Sequence, residues 1–133
     1  MKIKQIEHIG IAVKSLDEAI PYWENVLGLK CYKIEEVVDQ MVKTAFFKVG
    51  EVKIELLEAT SPESSVAKFI ESRGQGVHHI AFAVDGVANA LTEVESKGIA
   101  IIDKAPRKGA DGLNIAFLHP KSTMSVLTEL CEK

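Results

Sequence analysis

The stretch HHIAFAV, residues 78–84, repeats a pattern that opens the chain as EHIGIAV, residues 7–13. In each copy a histidine, His8 or His79, is followed by large apolar residues that alternate with small ones. Alternation with a period of two residues predicts a β-strand with one large apolar face. The histidine and the small residues share the other face. The duplication indicates that one structural unit occurs twice in the chain.

A helix is predicted after each strand copy. Ser15 and Glu18 have the spacing of a capping box, and apolar residues recur at helical spacing after them. Pro21 lies inside this segment and predicts a kink or a late start of the helix. In the second copy, Asp85 is the predicted cap of the corresponding helix. Both copies therefore begin with a strand and a helix.

Three more strands are predicted in each half of the chain. They cover about residues 29–36, 41–49 and 52–58, and then 99–103, 113–118 and 124–131. Ser61 and Pro62 predict the start of a linking helix, and residues 105–112 predict a loop. We therefore predict one α+β domain of two tandem βαβββ modules, a curled mixed sheet around one metal-binding cleft. Its expected boundaries are module 1 over about 1–60, the linking helix over about 61–74 and module 2 over about 75–133.

Composition narrows the functional classes. The chain has 133 residues, of which 47% are hydrophobic and 26% charged, as expected for one soluble globular domain. A net charge of −3 argues against sequence-independent nucleic-acid binding. No apolar run approaches the roughly 18 residues that a membrane span needs. The two cysteines, Cys31 and Cys131, have no metal-binding spacing, which favours a reduced, cytoplasmic protein.

The repeat also brings a glutamate to each histidine. Glu55 stands between Ile54 and Leu56 as Glu129 stands between Thr128 and Leu130. In a strand, each carboxylate points away from its apolar neighbours. If each module curls, its concave face holds one histidine and one glutamate.

Two histidines and two glutamates in one cleft suit a divalent ion. Imidazole nitrogens and carboxylate oxygens are ligands for Co²⁺, Ni²⁺, Mn²⁺, Zn²⁺ or Fe²⁺. The structural alternative is that each histidine is a hydrogen-bonded core residue and each glutamate a solvated one. His78 lies on the opposite strand face from His79, so we interpret it as structural or as an outer partner of the site. His119 has no counterpart in the repeat and is interpreted as a turn residue.

These residues resemble the vicinal oxygen chelate superfamily and, within it, the methylmalonyl-CoA epimerases. The resemblance covers essentially the whole chain and is carried by HIGIAV at 8–13, IELLE at 54–58, GVHHIA at 76–81, FLHPKS at 117–122 and VL with EL at 126–130. It implies an isomerase that interconverts (R)- and (S)-methylmalonyl-CoA through proton transfer at C2. It also implies a divalent metal, with Co²⁺ as first choice, and a homodimer. The matching ligand positions are His8, Glu55, His79 and Glu129.

Inversion at C2 needs proton removal on one face and proton return on the other, and two acid/base groups do this best. Glu129 is the first candidate. In one version of the family pattern a second glutamate stands where this chain has Thr44, which cannot act as a carboxylate base. The expected second group is therefore Glu55.

Binding residues for the acyl-CoA substrate are predicted in two loops. Lys121 and Ser122 could contact the free carboxylate, and Arg107 and Lys108, together with Lys104, could contact the CoA phosphates. The alternative for the residues of the second group is a solvated surface loop.

Three other functions use related residues. Glyoxalase I-type lactoylglutathione lyases have a similar four-ligand set, but the GVHHIAF and FLHPKS segments favour the epimerase. A ring-cleaving dioxygenase uses two histidines and one carboxylate on iron, which leaves Glu55 or Glu129 unexplained. A metal-free binding protein of the same fold does not need the full set.

Overall fold

The computed structural model describes residues 1–132, in two compact units. The N-terminal unit is His8–His78. The C-terminal unit combines Met1–Glu7 with the chain from His79 onward. The strands β1, Ile3–Ala12, and β5, Gly76–Val84, each contribute residues to both units. Over residues 1–132, no helix has both the length and the apolar character needed to cross a bilayer.

The N-terminal unit follows the predicted order of elements. After β1 come α1 (Leu16–Pro21), β2 (Lys33–Val37), β3 (Val42–Val49), β4 (Val52–Ala59) and α2 (Ser65–Arg73). The strand order is β2-β3-β4-β1. β1 and β4 pair in parallel, whereas β2, β3 and β4 pair antiparallel.

The C-terminal unit repeats this arrangement. After β5 come α3 (Val87–Ser96), β6 (Arg107–Lys108), β7 (Asn114–Leu118) and β8 (Thr128–Glu132), with strand order β5-β8-β7-β6. β5 and β8 pair in parallel, and β6, β7 and β8 pair antiparallel. The predicted α+β fold with two βαβββ modules is confirmed.

In each unit a helix covers the sheet face opposite the histidine. Leu16 of α1 packs in one buried cluster with Phe47 and Leu56. Leu91 of α3 packs in another with Leu130. Burying such side chains stabilises the fold by about 1.5–3 kcal/mol each. The helix therefore occupies one face, and the face with the histidine and glutamate is left for other contacts.

The N-termini of α1 and α3 are capped by glutamates from the last strand of the same unit. The Leu16 N–H donates to Glu58 Oε1 at 2.7 Å, and the Val87 N–H donates to Glu132 Oε1 at 3.2 Å. Glu58 and Glu132 are equivalent in the repeat, three residues after Glu55 and Glu129 respectively. A carboxylate is a stronger acceptor than a hydroxyl and also favours the positive end of a helix.

Two predicted caps are therefore wrong. Ser15 occupies the N-cap position of α1, but its side chain makes no capping hydrogen bond, and the Glu58 carboxylate accepts from the N–H of the first helical residue, Leu16. The N-cap of α3 is Gly86 and not Asp85, whose carboxylate contacts Lys4 Nζ at 3.3 Å.

Other predicted boundaries also move. Ser64, and not Ser61, caps α2, since its side chain accepts from the Val66 N–H at 3.1 Å. Residues 99–103 form no strand beyond one bridge, between Ile101 and Leu118. The predicted loop at 105–112 contains β6 and a 3₁₀ turn. At Pro21 the helix type changes: α1 ends at that residue and continues as a π-helical turn over Tyr22–Val26.

Candidate metal and active site

In the N-terminal unit, His8 and Glu55 face each other on neighbouring strands. Glu55 pairs in register with Gly10 of β1, two residues after His8, so both side chains project from the same side of the sheet. His8 Nδ1 lies 3.2 Å from Glu55 Oε2, and both side chains are buried. Gly10 between them adds no side chain that would fill the space.

The C-terminal unit holds the equivalent pair. Glu129 pairs in register with Ala81, two residues after His79. His79 Nε2 lies 3.3 Å from Glu129 Oε1, and both side chains are buried. The His79 and Phe117 rings form a T-shaped pair with a centroid separation of 5.5 Å. Each histidine thus contacts the glutamate of its own copy.

The donor atoms of each pair fit a divalent metal ion. Two donors at right angles around one ion, each about 2.1 Å from it, lie roughly 3.0 Å apart. The observed separations of 3.2 Å and 3.3 Å are close to that value. Imidazole and carboxylate donors are also the types that Co²⁺, Ni²⁺, Mn²⁺ and Zn²⁺ accept. The role of these four residues as ligands stays a prediction.

The face of the N-terminal sheet that bears His8 and Glu55 is called here its ligand face. Phe46 of β3 pairs in register with Glu55, so its ring lies on this face. Lys33 Nζ lies 4.6 Å and Lys53 Nζ 5.8 Å from the centroid of that ring. The ligand face of this unit therefore carries two cations beside the ring of the residue that pairs with Glu55.

The corresponding face of the C-terminal unit is more apolar. Phe117 pairs in register with Glu129, and Ile115 pairs with Cys131 two residues further along β8. The Arg107 guanidinium lies 5.6 Å from the Phe117 ring centroid, while its Nε donates to Asp103 Oδ1 at 2.9 Å. Arg107 therefore lies on the face of Glu129.

The other predicted substrate contacts lie in exposed or turn positions. Lys108 is exposed and pairs with Asn114, next to the Arg107 position. Lys121 is exposed, and its N–H donates to His119 Nδ1 at 3.1 Å. Ser122 Oγ accepts from the Ala100 N–H at 2.9 Å, which fixes a 3₁₀ turn. The interpretation of His119 as a turn residue agrees with this contact, whereas the substrate-binding role of the others stays a prediction.

Sequence reasoning passed over Lys53. Its side chain is buried although it is charged, and it pairs in register with His8. The alternation of β4 contained the signal, because residue 53 must share a strand face with residue 55. Thr44 also lies on the ligand face, opposite Leu57 of β4, and is buried.

The sequence profile of the Glyoxalase/Bleomycin resistance protein/Dioxygenase superfamily matches residues 7–117. That match covers most of the chain, including both strand copies and Glu55. The chain belongs to this superfamily. Of the four residues in the two His–Glu pairs, Glu129 alone lies beyond the matched range. Its equivalence to Glu55 follows from the internal repeat of the chain.

The proteins to which this chain is similar include enzymes. The chain is 45% identical to the uncharacterized protein YqjC of Bacillus subtilis strain 168, over 98% of this chain and 93% of that protein. It is 35% identical to the mitochondrial methylmalonyl-CoA epimerase of Dictyostelium discoideum, over 98% of this chain and 80% of that protein. It is 30% identical to the lactoylglutathione lyase of Haemophilus influenzae Rd, over 92% of this chain and 98% of that protein.

Solved structures agree with the superfamily assignment. A methylmalonyl-CoA epimerase in complex with methylmalonyl-CoA and NH₄⁺ superposes with a TM-score of 0.95 at 35% identity, covering 99% of this chain and 96% of that chain. The methylmalonyl-CoA epimerase of Mycobacterium tuberculosis gives a TM-score of 0.94 at 31% identity, covering 98% of this chain and 88% of that chain. The resemblance inferred from the sequence motifs is confirmed.

His78 is a buried titratable group that adjoins His79 in sequence. Its ring forms a T-shaped pair with the ring of Phe69, with a centroid separation of 5.2 Å. Burial disfavours the charged imidazolium and lowers the pKa of His78 from 6.5 to about 4. Because the native state resists protonation while the unfolded state does not, stability is lost as the pH falls from 6.5 towards 4.

We expect His78 to account for about 3 kcal/mol of the stability lost across this pH range. His78→Phe keeps an aromatic ring beside Phe69 but cannot be protonated. Urea unfolding of both proteins at pH 7, 6, 5 and 4, with chelator present, should therefore give a shallower pH dependence for His78→Phe. Parallel pH dependences in the two proteins would show that other groups cause the loss.

Proposed function

We propose that this protein is a metal-dependent isomerase that interconverts (R)- and (S)-methylmalonyl-CoA by proton transfer at C2. One observation carries the proposal: two buried His–Glu pairs occupy equivalent positions in the two units, with donor separations of 3.2 Å and 3.3 Å. The similarity to methylmalonyl-CoA epimerases over nearly the whole chain supports the choice of substrate.

The residues that would hold the metal are His8, Glu55, His79 and Glu129, acting on one ion. Co²⁺ is the first choice, and Ni²⁺, Mn²⁺ and Zn²⁺ suit the same donors. A bound divalent ion would act as a Lewis acid towards the oxygens that gain negative charge when C2 loses its proton. Burial of both pairs supports this role, because charge stabilisation is stronger where water is excluded.

Glu129 and Glu55 are the proposed acid/base groups. Each is a buried carboxylate beside a small residue, Ala81 or Gly10, which leaves room for a reacting carbon. One carboxylate removes the proton from one face of C2, and the other returns a proton to the opposite face. Thr44 cannot serve as a carboxylate base, so the second role falls to Glu55.

The CoA portion needs cationic contacts. Arg107 has the strongest support, because its guanidinium lies over Phe117 on the face of Glu129. Lys108, Lys121 and Ser122 complete the proposed binding set, with Lys121 and Ser122 directed to the substrate carboxylate. The resemblance also favours a homodimer, and the sparse cysteine content favours the cytoplasm.

A lactoylglutathione lyase is the second candidate. The relative in Haemophilus influenzae supports it, and lyases of this type resemble this chain in their four-ligand set. Both reactions proceed through a carbanion stabilised as an enolate, so the substrate distinguishes them.

Deuterium exchange tests the proposal. The protein is stripped of metal, reloaded with Co²⁺ and incubated with (S)-methylmalonyl-CoA in D₂O, and mass spectrometry follows deuterium at C2. Metal-dependent exchange accompanied by inversion is the expected result, with the stripped protein as control. Absence of exchange in a metal-loaded sample that converts a glutathione hemithioacetal would establish the lyase instead. A protein that binds no metal and catalyses neither reaction would favour a binding protein.

A further inference from the structure

The hydroxyl of Thr44 has no hydrogen-bond partner. Over residues 1–132, its Oγ1 is the one buried side-chain nitrogen or oxygen atom that lacks a partner. The Thr44 side chain is only 1% exposed. Such an orphaned group is destabilising, and native proteins retain few of them without a reason.

The neighbours of Thr44 in the sheet do not satisfy it. Leu57 of β4 lies directly opposite on one side and offers no polar side-chain atom. Glu35 of β2 lies opposite on the other side, and its carboxylate contacts Lys33 Nζ at 3.5 Å. Phe46, two residues along β3, is apolar and pairs in register with Glu55.

The second copy of the repeat shows that the fold does not require a hydroxyl at this position. Thr44 pairs with the residue two places after Glu55, and Ile115 pairs with the residue two places after Glu129. Ile115 is 2% exposed, so the fold accepts a buried apolar side chain at the equivalent position of the C-terminal unit. The polar residue in the N-terminal unit is therefore explained better by ligand binding than by folding.

The position of Thr44 points to the ligand. Thr44 and Glu55 are diagonal neighbours on one face, and the residues of such a pair are about 7–8 Å apart, with their Cβ atoms somewhat closer. A group bound above Glu55 is thus within reach of the Thr44 hydroxyl. Resting on the proposed epimerase function, we infer that Thr44 donates a hydrogen bond to an oxygen of the bound acyl group and holds that group beside Glu55.

Two groups of the acyl moiety could accept this hydrogen bond, the free carboxylate and the thioester carbonyl. Thr44→Val has nearly the same shape without the hydroxyl, and Thr44→Ser is the matched control that retains it. Calorimetry with malonyl-CoA and propionyl-CoA, which lacks the free carboxylate, measures the dissociation constants. We expect Thr44→Val to weaken malonyl-CoA binding by about tenfold to a hundredfold and Thr44→Ser to weaken it little.

The pattern across the two ligands assigns the oxygen. Weaker binding of malonyl-CoA alone identifies the carboxylate, and weaker binding of both identifies the thioester. Thr44→Val should also melt no lower than the unsubstituted protein, because it removes a buried polar atom that lacks a partner.

Two results would overturn the inference while leaving the epimerase proposal standing: unchanged binding of both ligands to Thr44→Val, or a clear fall in its melting temperature. Failure of the unsubstituted protein to bind either acyl-CoA would instead overturn the proposed function, and this inference with it.

Discussion

Glu129→Gln is expected to slow deuterium exchange at C2 of methylmalonyl-CoA by about 10³-fold, the usual range for loss of a general acid or base. Glutamine keeps the shape of the side chain and one oxygen that could bind metal, but it cannot accept the proton. Exchange rates and bound metal should therefore be measured on the same sample. A lower rate with undiminished metal assigns the effect to proton transfer.

Glu132→Gln is the matched control for this experiment. Glu132 lies on the same strand, but its carboxylate accepts from the Val87 N–H at 3.2 Å, at the start of α3. Its substitution should lower stability by about 1 kcal/mol, as loss of a helix cap does, and leave the exchange rate unchanged. If Glu129→Gln exchanged deuterium as fast as the unsubstituted protein, Glu129 would have no role in proton transfer.

Removal of either histidine should abolish metal binding. His8→Asn and His79→Asn are each expected to lower Co²⁺ affinity by at least about 100-fold, since loss of even an outer partner of a ligand lowers affinity by 10- to 100-fold. Elemental analysis after gel filtration measures the metal content. If both His–Glu pairs bind one ion, each substitution should remove all of the metal.

Two other outcomes of that measurement carry distinct meanings. Half of the metal content left in each variant would show that each His–Glu pair binds its own ion. No metal in the unsubstituted protein would show that the 3.2 Å and 3.3 Å contacts are ordinary hydrogen bonds, which have the same separation. His119→Asn alters a turn histidine and should leave the metal content unchanged.

Most of the fold could be predicted because the chain contains an internal repeat whose two copies can be compared. A period-two strand is ambiguous when it occurs once, but its recurrence with a histidine at the same place fixed both the strand and its ligand face. The same repeat paired Glu55 with His8 and Glu129 with His79, and the structure shows both contacts.

What the sequence could not supply are contacts between distant residues. Ser15 and Asp85 have the local pattern of helix caps. The first N–H groups of α1 and α3, those of Leu16 and Val87, instead donate to carboxylates 42 and 45 residues further along the chain. The sequence also could not show that the Thr44 hydroxyl lacks a hydrogen-bond partner, because this depends on which residues of β2 and β4 lie on either side of it. Lys53 differs, since the alternation of β4 alone places it beside Glu55.

The division of β1 between the units has a consequence for biosynthesis. Met1–Glu7 belongs to the unit that resumes at His79, and the N-terminal amine and Lys4 form ion pairs with Glu93 and Asp85 there. A ribosome releases this segment about 70 residues before its partners emerge. The N-terminal unit can therefore assemble during translation, whereas the other unit closes only when Met1–Glu7 docks on residues that are synthesised much later, a contact of high sequence separation and slow formation.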